Sequence, residues 1–157
     1  MSASFHIRLA TNADIPTLHA LIESSVRILQ ANDYTSTQIE GALGTVLGLD
    51  TQLLADQTYF VAETTNSSGT KTIVACGGWS KRKTLFGSDH AALREPDFLN
   101  PATDAAKSAG FTKFEMGSTL TGVPLYKLRG YHVIETIAVP LPNGEALTVI
   151  RMAKSAT

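Results

Sequence analysis

Side chains able to do chemistry are sparse in this 157-residue chain, and most stand alone. Cys76 is the single cysteine, and a thiolate there, beside Gly77-Gly78, would be a nucleophile. Neither neighbour is a base, and a lone strand cysteine behaves as a small buried hydrophobe, so we read it as packing. Ser88-Asp89-His90 holds the residue types of a nucleophilic triad. A triad is a spatial arrangement, and adjacent residues do not converge on one atom, so the run is set aside. No His, Cys, Asp and Glu set has metal-ligand spacing, and no metal is expected.

The elements that must position any site follow from periodicity. Phe5, Ile7 and Leu9 alternate with His6 and Arg8, the pattern of a half-buried strand. Asp14 is placed to cap a helix, with Pro16 in its first turn and Ile15, Leu18, Leu21, Ile22, Val26 and Leu29 at helical spacing to about Gln30. A second helix begins with Thr35 facing Gln38, or Thr37 facing Glu40, either pair fitting a capping box. Its apolar stripe is Ile39, Leu43, Val46 and Leu47, and Gly41, Gly44 and Gly48 weaken it in favour of close packing. Residues 58–65 and 71–80 read as strands around the polar turn 66–69, and Gly77-Gly78 suggests a bulge or a close backbone approach. Residues 81–106 carry no strand or helix signal of useful length, and we expect a long surface loop there. Order returns with a helix tail closed by Gly110, a strand over 111–119 and a short helix over about 122–129. Gly130 ends that helix with Tyr131 packed back on Tyr126, and strands 132–139 and 145–152 flank the turn Pro140–Gly144.

The order β-α-α-β-β-(gap)-β-α-β-β predicts one α/β (α+β) domain over 1–157, with a mixed, mostly antiparallel sheet flanked by helices. Thirteen basic against fourteen acidic side chains leave a formal charge of −1, which does not suit a polyanion partner, so no nucleic acid is expected. The longest basic run, Lys81-Arg82-Lys83, reads as a solvated turn. No apolar run approaches a membrane span, and residues 1–10 lack the apolar core of a signal peptide. With one cysteine, the expected location is the cytoplasm.

Four segments in this order resemble the GNAT family of N-acetyltransferases. Ile7-Arg8-Leu9-Ala10-Thr11-Asn12-Ala13-Asp14-Ile15-Pro16 is similar to that family's first strand and helix entry. Tyr59-Phe60-Val61-Ala62-Glu63 and Ile73-Val74-Ala75-Cys76-Gly77-Gly78-Trp79 are similar to its second and third strands. Leu125-Tyr126-Lys127-Leu128-Arg129-Gly130-Tyr131 resembles its late helix and turn. At Thr119 and Gly122 the family often carries Asn and Ala. The larger departure is the family's fourth strand and its Q/R-x-x-G-x-G/A loop, which presents N–H groups and a helix N-terminus to the coenzyme pyrophosphate. The nearest match, Gln38-Ile39-Glu40-Gly41-Ala42-Leu43, follows a turn and ends in Leu. We expect an internal loss on the order of 25 residues near 106–107, with the flanking strands closing up to pair directly.

The resemblance implies acetyl-CoA as donor and the primary amine of a small molecule or peptide as acceptor. It places Tyr126 as the general acid, a phenol of ordinary pKa about 10 meeting a thiolate near 8.5. Base candidates are Glu63, His90 and His132, and Tyr34 and Trp79 are candidates to line an acceptor pocket. The lost loop predicts weak acetyl-CoA binding. The alternative function is a non-catalytic GNAT-like remnant acting as a binding domain, and a homodimer in which a second copy fills the gap is a further expectation.

Overall fold

The computed structural model describes residues 5–80 and 103–155, with side chains from residue 106 in the second stretch. His90, the Ser88-Asp89-His90 run and the expected loop up to residue 102 lie outside the described residues. The strands are β1 (His6–Leu9), β2 (Tyr59–Thr65), β3 (Lys71–Gly78), β4 (Lys113–Thr119), β5 (His132–Pro140) and β6 (Ala146–Ser155). The helices are α1 (Ile15–Leu29), α2 (Ser36–Ala42), α3 (Thr51–Ala55), α4 (Thr103–Ser108) and α5 (Val123–Leu128). They form the expected α/β domain in the expected order, with every strand pair antiparallel among the described residues. No helix among them is long and apolar enough to cross a membrane.

The pairing differs from expectation in one respect. The strands form two three-stranded sheets, β1-β2-β3 and β4-β6-β5, and among the described residues β3 and β4 do not pair. The reason is visible at the end of β3. Trp79 donates its N–H to the Thr58 carbonyl (3.1 Å), staying with β2. Its ring turns into the second sheet's apolar cluster, edge-on to Phe111 with centroids 5.9 Å apart. Among the described residues, side chains meet where backbone pairing was expected. The bulge of β3 lies at Val74, where pairing steps from Ala75 to Ile73. Gly78 makes the close approach, since a Cβ there would sit 2.6 Å from the Thr58 carbonyl oxygen, whereas one at Gly77 would meet nothing.

Three apolar clusters hold the layers together. Leu18, Leu49, Leu53, Leu54, Tyr59 and Val61 pack α1 and α3 on the first sheet. Val26, Tyr34, Ile39, Ala42 and Val46 cover one face of the second sheet through Leu147 and Val149. Ala106, Phe114, Met116, Tyr131, Ile150, Met152 and Trp79 fill its other face. Ile22 packs against the first two clusters and Leu120 against the last two.

The caps are largely those the sequence predicts. Thr35 and Gln38 form the capping box of α2. Phe111 N–H bonds to the Ala106 carbonyl (3.2 Å) behind Gly110 at φ +91°, closing α4. Asp14 precedes α1 but does not cap it. Its carboxylate turns back to the Thr11 N–H (2.8 Å) and to the Arg8 guanidinium. α2 ends at Ala42 rather than near Leu47, because Leu43 is extended and Gly44 sits at φ +74°. The short α3, which the sequence reading lacks, starts at Asp50, whose side chain accepts the Gln52 N–H (3.1 Å).

Candidate functional site

Tyr126 lies on a helix of six residues, too short to hold itself in place, so its two ends set the pose. At the C-terminal end Gly130 takes φ +85°. The Tyr131 N–H bonds to the Tyr126 carbonyl (3.0 Å) and the Gly130 N–H to that of Lys127 (3.0 Å), the expected Schellman closure. This brings Tyr131 edge-on to Tyr126, centroids 5.9 Å apart at 72°. At the N-terminal end Gly122 leaves room for the ring, since a Cβ there would lie 3.0 Å from Tyr126 Cε2 and 2.8 Å from Ser118 Oγ.

The four phenols are in different chemical states. The Tyr34 hydroxyl donates to the Thr148 carbonyl (2.6 Å) and accepts the Leu120 N–H (2.8 Å). The Tyr59 hydroxyl meets Cys76 Sγ at 3.4 Å. Tyr131 is pushed up to about 12 by burial and by Tyr126 beside it, and Lys154 stands 4.8 Å above its ring. Tyr126 is half-buried, and its hydroxyl has no hydrogen-bond partner among the described residues. Burial raises its pKa above the ordinary phenol value, so it holds its proton at neutral pH.

The other sequence candidates are dispersed. Trp79 is buried in the cluster against which Tyr126 packs. Tyr34 is buried in the cluster on the opposite face of that sheet, with both hydrogen-bonding directions of its hydroxyl used on backbone. Glu63 accepts from Arg8 Nε (2.8 Å) on the first sheet. His132 is exposed at the start of β5. Burial pushes the Cys76 thiol up, against a smaller opposing pull from the Tyr59 hydroxyl, which makes it a poor nucleophile. Sequence reasoning missed Ser118, Leu120 and Thr121. The segment Thr119–Gly122 before Tyr126 was the available signal, and only its departure from the family pattern was noted there.

A pyrophosphate needs several N–H groups converging at a helix N-terminus or a comparable nest. Among the described residues only α1 exceeds seven residues, and the Asp14 carboxylate before it is turned back to Arg8 and the Thr11 N–H. Arg8, Arg27 and Arg151 are each paired with carboxylates. Three of the four described arginines are thus engaged, and Arg129 at the end of α5 is exposed.

Neither a family model nor a curated protein sequence matches the chain. Solved structures do. A GCN5-related N-acetyltransferase from Rhodopseudomonas palustris matches with TM-score 0.64 at 20% identity, over 99% of this chain and 98% of that one. The PaiA N-acetyltransferase from Thermoplasma acidophilum, in complex with coenzyme A, matches with TM-score 0.57 at 15% identity, over 97% and 99%. A GNAT superfamily phosphinothricin acetyltransferase from Sinorhizobium meliloti, in complex with AcCoA, matches with TM-score 0.55 at 12% identity, over 99% and 89%. The two-sheet arrangement, the Gly130 closure behind Tyr126 and these likenesses agree: this chain has the GNAT N-acetyltransferase fold.

Proposed function

We propose that the chain is an acetyl-transfer domain that takes its acetyl group from the thioester of acetyl-CoA and passes it to a primary amine of a small molecule or peptide, in the cytoplasm. The observation that carries this reading is the state of Tyr126: a fixed ring, a raised pKa and a hydroxyl with no partner among the described residues. A general acid must be held in place, with its proton kept and unengaged until a leaving group develops charge. The acceptor amine attacks the carbonyl as the neutral base, the carbon–sulfur bond breaks, the departing sulfur takes the Tyr126 proton, and the nitrogen gives up its extra proton to water, from which the phenolate is reprotonated. Because burial raises the phenol further above a thiol near 8.5, the transfer is uphill, and the proton is shared in the transition state. Trp79 and Tyr34 are both buried, and neither is assigned to the amine.

A second reading rests on the lack of a Q/R-x-x-G-x-G/A match in the sequence after a strand: a non-catalytic domain that keeps the fold and binds without the coenzyme. Two measurements separate them. Calorimetric titration with acetyl-CoA is expected to give binding weaker than low micromolar. Transfer from a series of acetyl thioesters should slow in Tyr126→Phe, most for leaving thiols of highest pKa. No transfer from any thioester supports the second reading, and an unchanged rate in Tyr126→Phe leaves that residue to packing.

A further inference from the structure

The turn between β4 and α5 is tied from outside. Its Leu120 N–H donates to the Tyr34 hydroxyl (2.8 Å), which donates in turn to the Thr148 carbonyl of β6 (2.6 Å). The next residue, Thr121, sits with its hydroxyl between the Gln30 amide oxygen (2.7 Å) and the Asp33 carboxylate. Gln30, Asp33 and Tyr34 all belong to the segment that leaves α1, so one loop grips two consecutive residues of the turn. Gly122 follows, its N–H bonded to the Thr119 carbonyl (3.0 Å), and its own carbonyl receives the Tyr126 N–H (3.1 Å). The path from Tyr34 to Tyr126 is therefore continuous: one side-chain bond, two peptide units and one helical hydrogen bond.

We propose that Tyr34 and Thr121 are positioning residues for Tyr126, acting through the turn that starts α5. This rests on the reading of Tyr126 as the proton donor, but the geometric claim is separate from it. α5 has six residues and no side-chain bond from its cap residue, so it cannot fix its own entry. Of its two ends, the Gly130 closure is internal to the helix and turn. At that end Lys154 Nζ of β6 donates to the Arg129 carbonyl (3.1 Å), while at the other the Tyr34–Thr121 clasp refers the helix entry to the rest of the molecule, because it joins β4, β6 and the α1 loop at one point. Gly122 is the third part of the device. Its missing Cβ leaves open the space between the Tyr126 ring and Ser118 Oγ, which that carbon would meet at 3.0 and 2.8 Å. The role of Tyr34 is thus exercised on Tyr126 without contact with any substrate.

The chain has four tyrosines, so 3-fluorotyrosine labelling gives four ¹⁹F resonances, assigned by single Tyr→Phe variants. In Tyr34→Phe, the Tyr126 resonance should move and its titration midpoint should fall by roughly 0.5–1 pH unit as the ring gains water. The Tyr59 resonance, in the first sheet, should stay in place. Thr121→Val should act in the same direction, and Thr121→Ser, which keeps the hydroxyl, should restore the parent spectrum. Where transfer is measurable, kcat should fall about tenfold with KM little changed. An unmoved Tyr126 resonance and midpoint in both Tyr34→Phe and Thr121→Val overturns the proposal. Should Tyr34→Phe fail to fold, the Val and Ser pair at Thr121 decides it. An unchanged rate in Tyr126→Phe, with the ¹⁹F shifts present, removes the catalytic reading and leaves the positioning intact.

Discussion

Adjacent glycines at the end of β3 offer a test in which one methyl group is placed at two neighbouring positions. At Gly78 the new carbon would lie 2.6 Å from the Thr58 carbonyl oxygen, 2.8 Å from Tyr59 Cδ2 and 3.1 Å from Tyr59 Cα. Two of these neighbours are backbone atoms of β2 or its entry, which cannot swing aside as a flexible side chain does. The Thr58 carbonyl also accepts the Trp79 N–H at 3.1 Å, so pushing it away strains that bond. Overpacking costs about 1–3 kcal/mol, and a weakened buried hydrogen bond about 0.5–1.5 kcal/mol. Gly78→Ala should therefore destabilise by about 2–4 kcal/mol, a large part of the 5–15 kcal/mol typical of a domain. At 2–4 °C per kcal/mol the melting temperature should fall by roughly 5–15 °C. Gly77→Ala meets open space, and its reduced unfolded-state entropy should make it neutral or stabilising by about 0.4–1 kcal/mol. Urea unfolding followed by fluorescence of the single tryptophan, the residue next to Gly78, reads both. Equal stability of the two variants would refute the argument from close approach.

Acid stability should depend on Asp14, whose hydrogen bond from Arg8 outweighs burial and holds its carboxyl well below the usual range. A depressed folded pKa adds stability above the unfolded value near 4 and loses it as pH falls towards the folded one. Unfolding measured from pH 6 to 2 should thus lose about 1–2 kcal/mol from this pair, after allowance for the partly exposed Arg8, and Asp14→Asn should flatten that part of the curve. The edge strands β1 and β5 expose Ile7 (67%) and Ile134 (45%), and we propose self-association through such edges. Ile7→Lys and Ile134→Lys should each lower it in sedimentation velocity without changing the far-ultraviolet circular dichroism, and unchanged association in both would remove these edges as its cause.

Where a residue's neighbours along the chain decide its conformation, the sequence is a good guide. The Thr35–Gln38 box, the left-handed Gly110 and Gly130, and the Tyr131–Tyr126 contact are all settled within five residues. Distant partners defeat such reading. Asp14 looks like a helix cap until Arg8 draws its carboxylate away, and Trp79 carries no local sign that it packs with Phe111 and Phe114. Tyr34 carries no local mark of its role, because the groups its hydroxyl serves lie at Leu120 and Thr148. The helix over Thr51–Ala55 was missed because five residues give too little periodicity to register.

The two sheets are each laddered from one continuous run of chain, residues 6–78 for the first and 113–155 for the second. Hydrogen bonds of a ladder are directional and fix register, whereas apolar contact is nondirectional and scales with area. Among the described residues, strand register is consequently set within each sheet, while the two sheets meet through apolar contact and through the hydrogen bonds of Tyr34 and Thr121. Among the described residues a change of tilt breaks no ladder bond; it exchanges one set of apolar neighbours for another around Trp79, Phe60 and Leu120. Substitutions that alter only the bulk of those three side chains should act as a dial on the angle of the wedge, leaving both sheets internally unchanged.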